Sequence, residues 1–596
     1  MRAGFVLLSA IGAILASCNR PASSPHASRA PREIASNVLR ADYAGSAACA
    51  KCHADVAAHW AASPMHNMTR TFDANVSRAP WSGTALRFKD DRVDLEERAG
   101  AEGVERIVHV RSARFGDTDY RVTRVIGGHH REDYAGVPLT GAPSADEVVL
   151  PISWLLWSNK FRYKGYSVMS RERPGVAAGP VWNRTCIFCH NTEPYFSDML
   201  GALVQRKDPY QGELVDPLLP AGLREHVVID DANALDGALG DEIEHLSHTR
   251  PTDSSTSDLA LRAIETTRDH FTARDLVEVG IGCESCHGGS KAHAEDPSIR
   301  TSLAPHAAGF HFAPEPSDPI ERRAERVNRA CARCHQVLFS RYPFTWENGL
   351  RNGVPGGSHI NSGEARDFIM SACSKRADCT LCHDPHATDN NERAKTLETP
   401  AGDAICTRCH VELASEPAAR AHTHHDPRGA GGRCVACHMP KKNMTLDLEL
   451  GRYHRIGSPN DPVKMLDRPL ECALCHTDWS VEKIAGDMER LWGKRIDRAV
   501  LDGVYGALDA NVIDATLEHG KAHEKAVALA LLGEKRVARA APAIARELVG
   551  PYPLVRFYAE HALERISGEP SPLDMYATDD EIRAAGEKWM ASMTTK

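Results

Sequence analysis

The chain has no excess of positive charge. Its 71 Lys and Arg stand against 80 Asp and Glu, a net charge of −9 with neutral His. That speaks against nucleic acid as a partner. It also lacks a long apolar run. The stretch from Phe5 to Ala16 holds twelve residues, where a membrane-spanning helix needs about 20. Cysteine is missing from residues 80–182 and again after His476. The 18 cysteines are therefore concentrated, and their pattern is not that of a disulfide scaffold, which asks for no His after every second Cys.

What is present is a repeated pentapeptide. With 18 Cys and 30 His in 596 residues, random placement would give Cys-x-x-Cys-His about 0.03 times. It occurs eight times and uses 16 of the 18 cysteines. The copies are Cys49-Ala50-Lys51-Cys52-His53, Cys186-Ile187-Phe188-Cys189-His190, Cys283-Glu284-Ser285-Cys286-His287 and Cys331-Ala332-Arg333-Cys334-His335. They continue as Cys379-Thr380-Leu381-Cys382-His383, Cys406-Thr407-Arg408-Cys409-His410, Cys434-Val435-Ala436-Cys437-His438 and Cys472-Ala473-Leu474-Cys475-His476. This is the attachment signature of c-type haem. Two thiols form thioethers to the haem vinyl groups, and the His that follows is the proximal iron ligand. Eight covalently attached haems c are expected.

The second axial ligand separates a carrier from an enzyme, because an open position admits substrate. Twenty-two His lie outside the proximal positions, more than eight bis-His irons need. The distal candidates are His66, His130, His293, His386 and His454, with one of the cluster His422, His424 and His425, taken here as His424. His386 is too close to proximal His383 to reach the far face of that haem and should serve a neighbour. Met65 and Met439 are read as packing residues and Cys373 as a plain buried thiol. No residue is singled out as catalytic.

The chain opens Met1-Arg2 before the short apolar run, the order of an export signal. Leu15-Ala16-Ser17-Cys18 resembles a bacterial lipoprotein cleavage site, so Cys18 is expected to carry a lipid anchor, in the periplasm or at the outer membrane. The expected organisation is a signal peptide (1–18), a Pro- and Ser-rich tether (19–41) and a first haem segment (42–79). A β-rich insertion (80–182), a multihaem domain (183–480) and an α-helical tail (481–596) follow. Leu86 to Glu96 alternates with period two, as a hairpin does. In the tail, paired amphipathic helices resemble HEAT-type repeats. The expected fold class is mainly α with extensive loops, organised around covalently bound haems, with a small β-rich insertion and a helical repeat domain. Motifs this dense leave little room for a side-chain core, so the macrocycles should supply much of the buried apolar surface.

Several segments resemble one family. Gly45 to His53 with Trp60-x-x-Ser63-x-x-His66 is similar to the opening of multihaem cytochromes related to the tetrahaem carrier of ammonia oxidation. Gly282-Cys283-Glu284-Ser285-Cys286-His287-Gly288-Gly289-Ser290 with His293 is similar to another piece, Gly289 standing at the family's Pro. Cys382-His383-Asp384-Pro385-His386, Cys437-His438-Met439-Pro440 and Tyr453-His454-Arg455 match further pieces. The resemblance covers about residues 43–480 and extends to the hydroxylamine oxidoreductase superfamily. It implies haems packed in close pairs as a conducting chain. The Cys-x-x-Cys-Lys of the related nitrite reductase is absent. Tyr166, Tyr195 and Tyr453 are present, but no spacing marks one as the crosslinked Tyr of hydroxylamine oxidoreductase.

The function expected is an exported octahaem cytochrome that passes electrons between redox partner proteins, more carrier than enzyme. The alternative is an oxidoreductase acting on a small nitrogen or sulfur compound at one open haem. The helical tail is a candidate docking surface for another protein.

Overall fold

Val93 and Leu95 are buried while Arg92, Asp94 and Glu96 between them are not. That alternation places one face of a strand on a core. It recurs along a seven-stranded antiparallel meander: β1 (Thr84–Phe88), β2 (Asp91–Gly100), β3 (Gly103–Arg111), β4 (Thr118–Gly127), β5 (Arg131–Pro138), β6 (Val148–Leu155) and β7 (Lys160–Tyr163). Leu86 pairs with Val93, and Val93 in turn with Val110. Thr69–Thr71 adds a short strand to β4, against Ile126, Val125 and Arg124.

This computed structural model describes residues 32–594 apart from 74, 102, 142–143, 145, 167–168, 205–225, 253–254, 313–315 and 336–362. The expected signal peptide, Cys18 and most of the expected tether lie outside them.

The expectation of a mainly α fold is corrected. Helix makes up 45% and strand 16%, and the meander curls into a nearly closed barrel. The sequence signal was partial because β5 and β6 are buried almost throughout. Strands covered on both faces lose the period-two pattern that marked β1 and β2. The two ends of the sheet approach through Phe88 and Tyr163, whose rings are 5.2 Å apart. Tyr576, from the far end of the chain, closes this seam. Its ring lies edge-on to Phe88 at 4.8 Å, its hydroxyl accepts from the Tyr163 N–H at 3.3 Å, and its carbonyl accepts from the Lys89 N–H at 2.6 Å.

The tail begins with helix α1 (Val481–Trp492) and continues through α2 (Arg498–Tyr505), α3 (Val512–His519), α4 (Ala522–Glu534), α5 (Ala541–Arg546), α6 (Pro553–Ser567) and α7 (Asp579–Thr594). Helices α4 and α6 cross closely at Gly533, where a Cβ would lie 2.7 Å from the Ala562 Cα. One apolar core runs from the sheet through the segment around the eighth motif into these helices.

The haem segment is built differently. From residue 369 to residue 434, Pro427 is the one buried apolar side chain. Two complete motifs lie in that stretch, the fifth and the sixth. A polypeptide that folds over this length without a side-chain core needs another apolar body to pack on.

Candidate haem centres

Each motif forms one helical turn. The His N–H donates to the carbonyl of the first Cys at His53, His190, His287, His335, His383, His410 and His476, over 2.9 to 3.2 Å. Cys434–His438 is itself α-helical. An i to i+4 turn puts both thiols and the imidazole on one side of the backbone.

Five of the eight proximal rings face a second imidazole. His53 faces His293 with ring centres 6.4 Å apart, and His287 faces His386 at 6.1 Å with planes 5° apart. His383 faces His454 at 6.3 Å, His438 faces His422 at 6.0 Å, and His476 faces His425 at 6.1 Å. Two imidazoles on one metal ion have centres roughly 6 Å apart, from two metal–nitrogen bonds of about 2 Å plus a ring radius at each end. Direct stacking would bring them much closer. The spacing fits one iron between each pair.

Backbone carbonyls fix the tautomer. Nδ1 donates to Ile299 O in His293 at 2.7 Å, to Thr423 O in His425 at 2.6 Å, to Gly457 O in His438 at 3.1 Å and to Arg452 O in His454 at 3.0 Å. That leaves the Nε2 lone pair for a metal. Burial pulls the His287, His383, His438 and His476 imidazoles below their ordinary value, toward the neutral form a ligand requires.

The remaining candidates are placed otherwise. His66 Nδ1 donates to Ile281 O at 3.2 Å. His130 lies in the β4–β5 turn, edge-on to His129 at 4.3 Å and 3.8 Å from Asp447 Oδ2. His424 does not face a proximal ring. It ends the helix Glu416–Thr423 in a left-handed conformation (φ 55°). Its Nε2 sits 3.0 Å from Leu491 O and its ring is edge-on to Trp492. The left-handed turn sends the flanking His422 and His425 to different motifs, which a flat reading of the cluster misses. Among the described residues, no histidine ring faces His190, His335 or His410 in this way.

Two of those three proximal rings have marked surroundings. His335 Nδ1 lies 3.3 Å from Glu364 Oε2; burial pulls the imidazole down, but this carboxylate holds it at about 9. The buried His190 Nδ1 has no hydrogen-bond partner among the described residues. Burial, then the nearby Lys164 ammonium, push this imidazole down to about 4. Lys164 is paired with Asp133, which Arg131 also contacts.

The thiols of different motifs neighbour one another in a continuous order. Cys49 and Cys283 are hydrogen-bonded, joining the first motif to the third. Cys286 is close enough to interact with Cys331 and Cys334 of the fourth motif. Cys331 is hydrogen-bonded to Cys379 of the fifth, and Cys382 interacts with Cys406 of the sixth. Cys406 is hydrogen-bonded to Cys434 of the seventh, and Cys437 interacts with Cys472 of the eighth. The second motif joins at the side, through Cys189 and Cys334. Cys373, the thiol outside every described motif, lies near Cys382, Cys406 and Cys409. It is half-buried rather than fully buried.

Another set of ligand-type side chains, Asp467, His523 and Glu524, is balanced by cations. Arg468 pairs with Glu524 at 3.0 Å and Lys442 approaches Asp467 at 3.7 Å.

Residues 372–415, which span the fifth and sixth motifs, match the family model for a doubled CXXCH motif. No curated protein matches the chain. An outer cell wall cytochrome, OcwA, is a solved structure with 15% identity and a TM-score of 0.34 over 92% of this chain and 100% of that one. Among the described residues, no helix is long and apolar enough to cross a membrane.

Proposed function

We propose that this multihaem c-type cytochrome carries eight haems and relays electrons along them, in the order first, third, fourth, fifth, sixth, seventh, eighth, with the second haem branching at the fourth. The observation that carries the reading is the continuous order in which thiols of successive motifs neighbour one another from Cys49 to Cys472. When bound, haem c supplies a one-electron iron couple. The chain's part is to fix each macrocycle by two thioethers and hold neutral imidazoles on the axis. It also brings the attachment edges of successive haems together. His53, His190, His287, His335, His383, His410, His438 and His476 are the proposed proximal ligands. His293, His386, His422, His425 and His454 are the proposed distal ligands at five of them.

Redox proteins at either end are the proposed partners. Export fits this chemistry, and the segment from Met1 to Cys18 supports secretion with lipid attachment. The test is intact mass of the native protein, with double substitution of Cys379 and Cys382 by Ser. The expected result is eight haems in the native protein. In the variant, a single reduction phase at an electrode splits into two, because the middle of the chain is missing. Single-phase reduction unchanged in the variant would overturn the order.

A second reading is favoured by the surroundings of His190. Lys164, Asp133 and Arg131 put polar and charged groups beside the second haem position, where no second imidazole stands among the described residues. That is the setting for a small oxyanion at an open iron. High-spin iron in the oxidised native protein supports this reading; entirely low-spin iron overturns it.

A further inference from the structure

Arg333, inside the fourth motif, ties together segments of three motifs. Its Nε donates to Asp198 Oδ2, its Nη1 to Ser285 O of the third motif at 3.1 Å, and its Nη2 to Glu193 O and Oε1 at 3.3 and 3.5 Å. Glu193 follows the second motif, and Cys189 of that motif lies 4.0 Å from the Arg333 carbonyl. The side chains of Arg333, Glu193 and Asp198 are 4%, 0% and 7% exposed. The Glu193 and Asp198 carboxyls lie within hydrogen-bonding reach of each other. Glu193 Oε2 nevertheless meets no donor among the described residues.

Two carboxylates against one guanidinium leave one negative charge, which one proton would neutralise. A proton between them also supplies the donor that Glu193 Oε2 lacks. The other groups facing the pair do not change this balance. Tyr43 is half-buried beside Arg333 and Asp198, and its hydroxyl accepts from the Tyr195 N–H. The Tyr195 ring lies under the guanidinium at 4.5 Å. Cys334 and Cys189 would be thioethers. The Glu284 carboxylate is satisfied by the N–H groups of Ala44, Gly45 and Ser290.

We propose that Glu193 and Asp198 form a buried proton-binding site shared by the second, third and fourth haems, taking up one proton as these irons are reduced and releasing it as they are oxidised. The electron comes from a redox partner protein and converts one ferric iron to ferrous. The proton comes from water and forms one O–H bond on the carboxyl pair. Each arriving electron adds a negative charge to a low-dielectric region, where an ionised carboxylate is already costly. Binding a proton restores the balance. Burial raises both carboxyls, with Arg333 opposing it.

The inference rests on haems being attached at these three motifs. It is tested by redox titration across pH and by reduced-minus-oxidised infrared spectra of the full holoprotein, native and with Glu193→Gln or Asp198→Asn. In the native protein the midpoint potentials of this group should fall as pH rises. Reduction should produce a protonated-carboxyl C=O band that shifts in heavy water. Glu193→Gln should flatten the pH dependence and remove the band. A native spectrum without a carboxyl band, or an unchanged pH slope in Glu193→Gln, would overturn the proposal. If Glu193→Gln fails to load haem, the native infrared spectrum decides. Intact mass showing no haem at one of the three motifs would instead overturn the underlying haem assignment.

Discussion

His287 and His386 stand face to face, with planes 5° apart and centres 6.1 Å apart, although each belongs to a different Cys-x-x-Cys-His segment. His386 follows the fifth motif and faces the proximal ring of the third. The two segments are therefore interlocked: the chain leaving one motif reaches the proximal ring of another. Replacing His386 by Ala should leave eight haems on the protein and convert one low-spin iron to high spin, read by electron paramagnetic resonance. His422→Ala and His425→Ala should each do the same at a different iron. His424→Ala should leave every iron low-spin that is low-spin in the native protein. A high-spin signal in His424→Ala with none in His422→Ala would reverse the assignment.

The barrel seam and the helical tail are held by one charged cluster. The Arg556 side chain is 2% exposed and reaches Glu172 at 2.9 Å and Asp579 at 3.0 Å, and Lys89 reaches the same two carboxylates at 2.8 and 3.1 Å. Breaking a buried pair from one side leaves charge without compensation and costs about 3 kcal/mol. Arg556→Leu should destabilise the sheet by about that much, read as a lower thermal midpoint of the sheet signal in circular dichroism. Tyr576→Ala, which opens the Phe88–Tyr163 seam, should cost about 2 kcal/mol. Neither should change the haem count. A tail that serves only as a docking surface would leave the sheet's midpoint unmoved in both variants.

The motifs and the early strands were legible in the sequence because each is local. A pentapeptide shows itself, and Leu86 to Glu96 alternates openly. What escaped depends on distant partners. Nothing near Phe88 announces that Tyr576 will close the sheet, and β5 hides its strand character by burying both faces. Glu132 there is fully buried, yet Arg70 and Arg78 approach it from outside the strand at 3.7 and 3.8 Å. In the cluster at 422–425 the residue types were visible, but their directions were not. The left-handed His424 decides them, and a non-glycine residue takes that conformation only rarely.

Asp133 gives the sheet a defined acid sensitivity. Burial alone would raise its carboxyl, but Arg131, Lys164 and Ser153 outweigh burial and hold it at about 2. The unfolded chain titrates near an ordinary carboxylate value of about 3.9. A depressed folded value means that the unfolded state binds the proton more tightly, so the contribution is present above about pH 4 and lost as pH falls toward about 2. Its size is about 3 kcal/mol. Thermal midpoints of the sheet signal should therefore drop through this window in the native protein. Asp133→Asn should be less stable than the native protein at neutral pH, because Lys164 and Arg131 lose their buried counter-charge, and should show a smaller drop between about pH 4 and pH 2. An equal drop in both proteins would assign the acid sensitivity to other carboxylates.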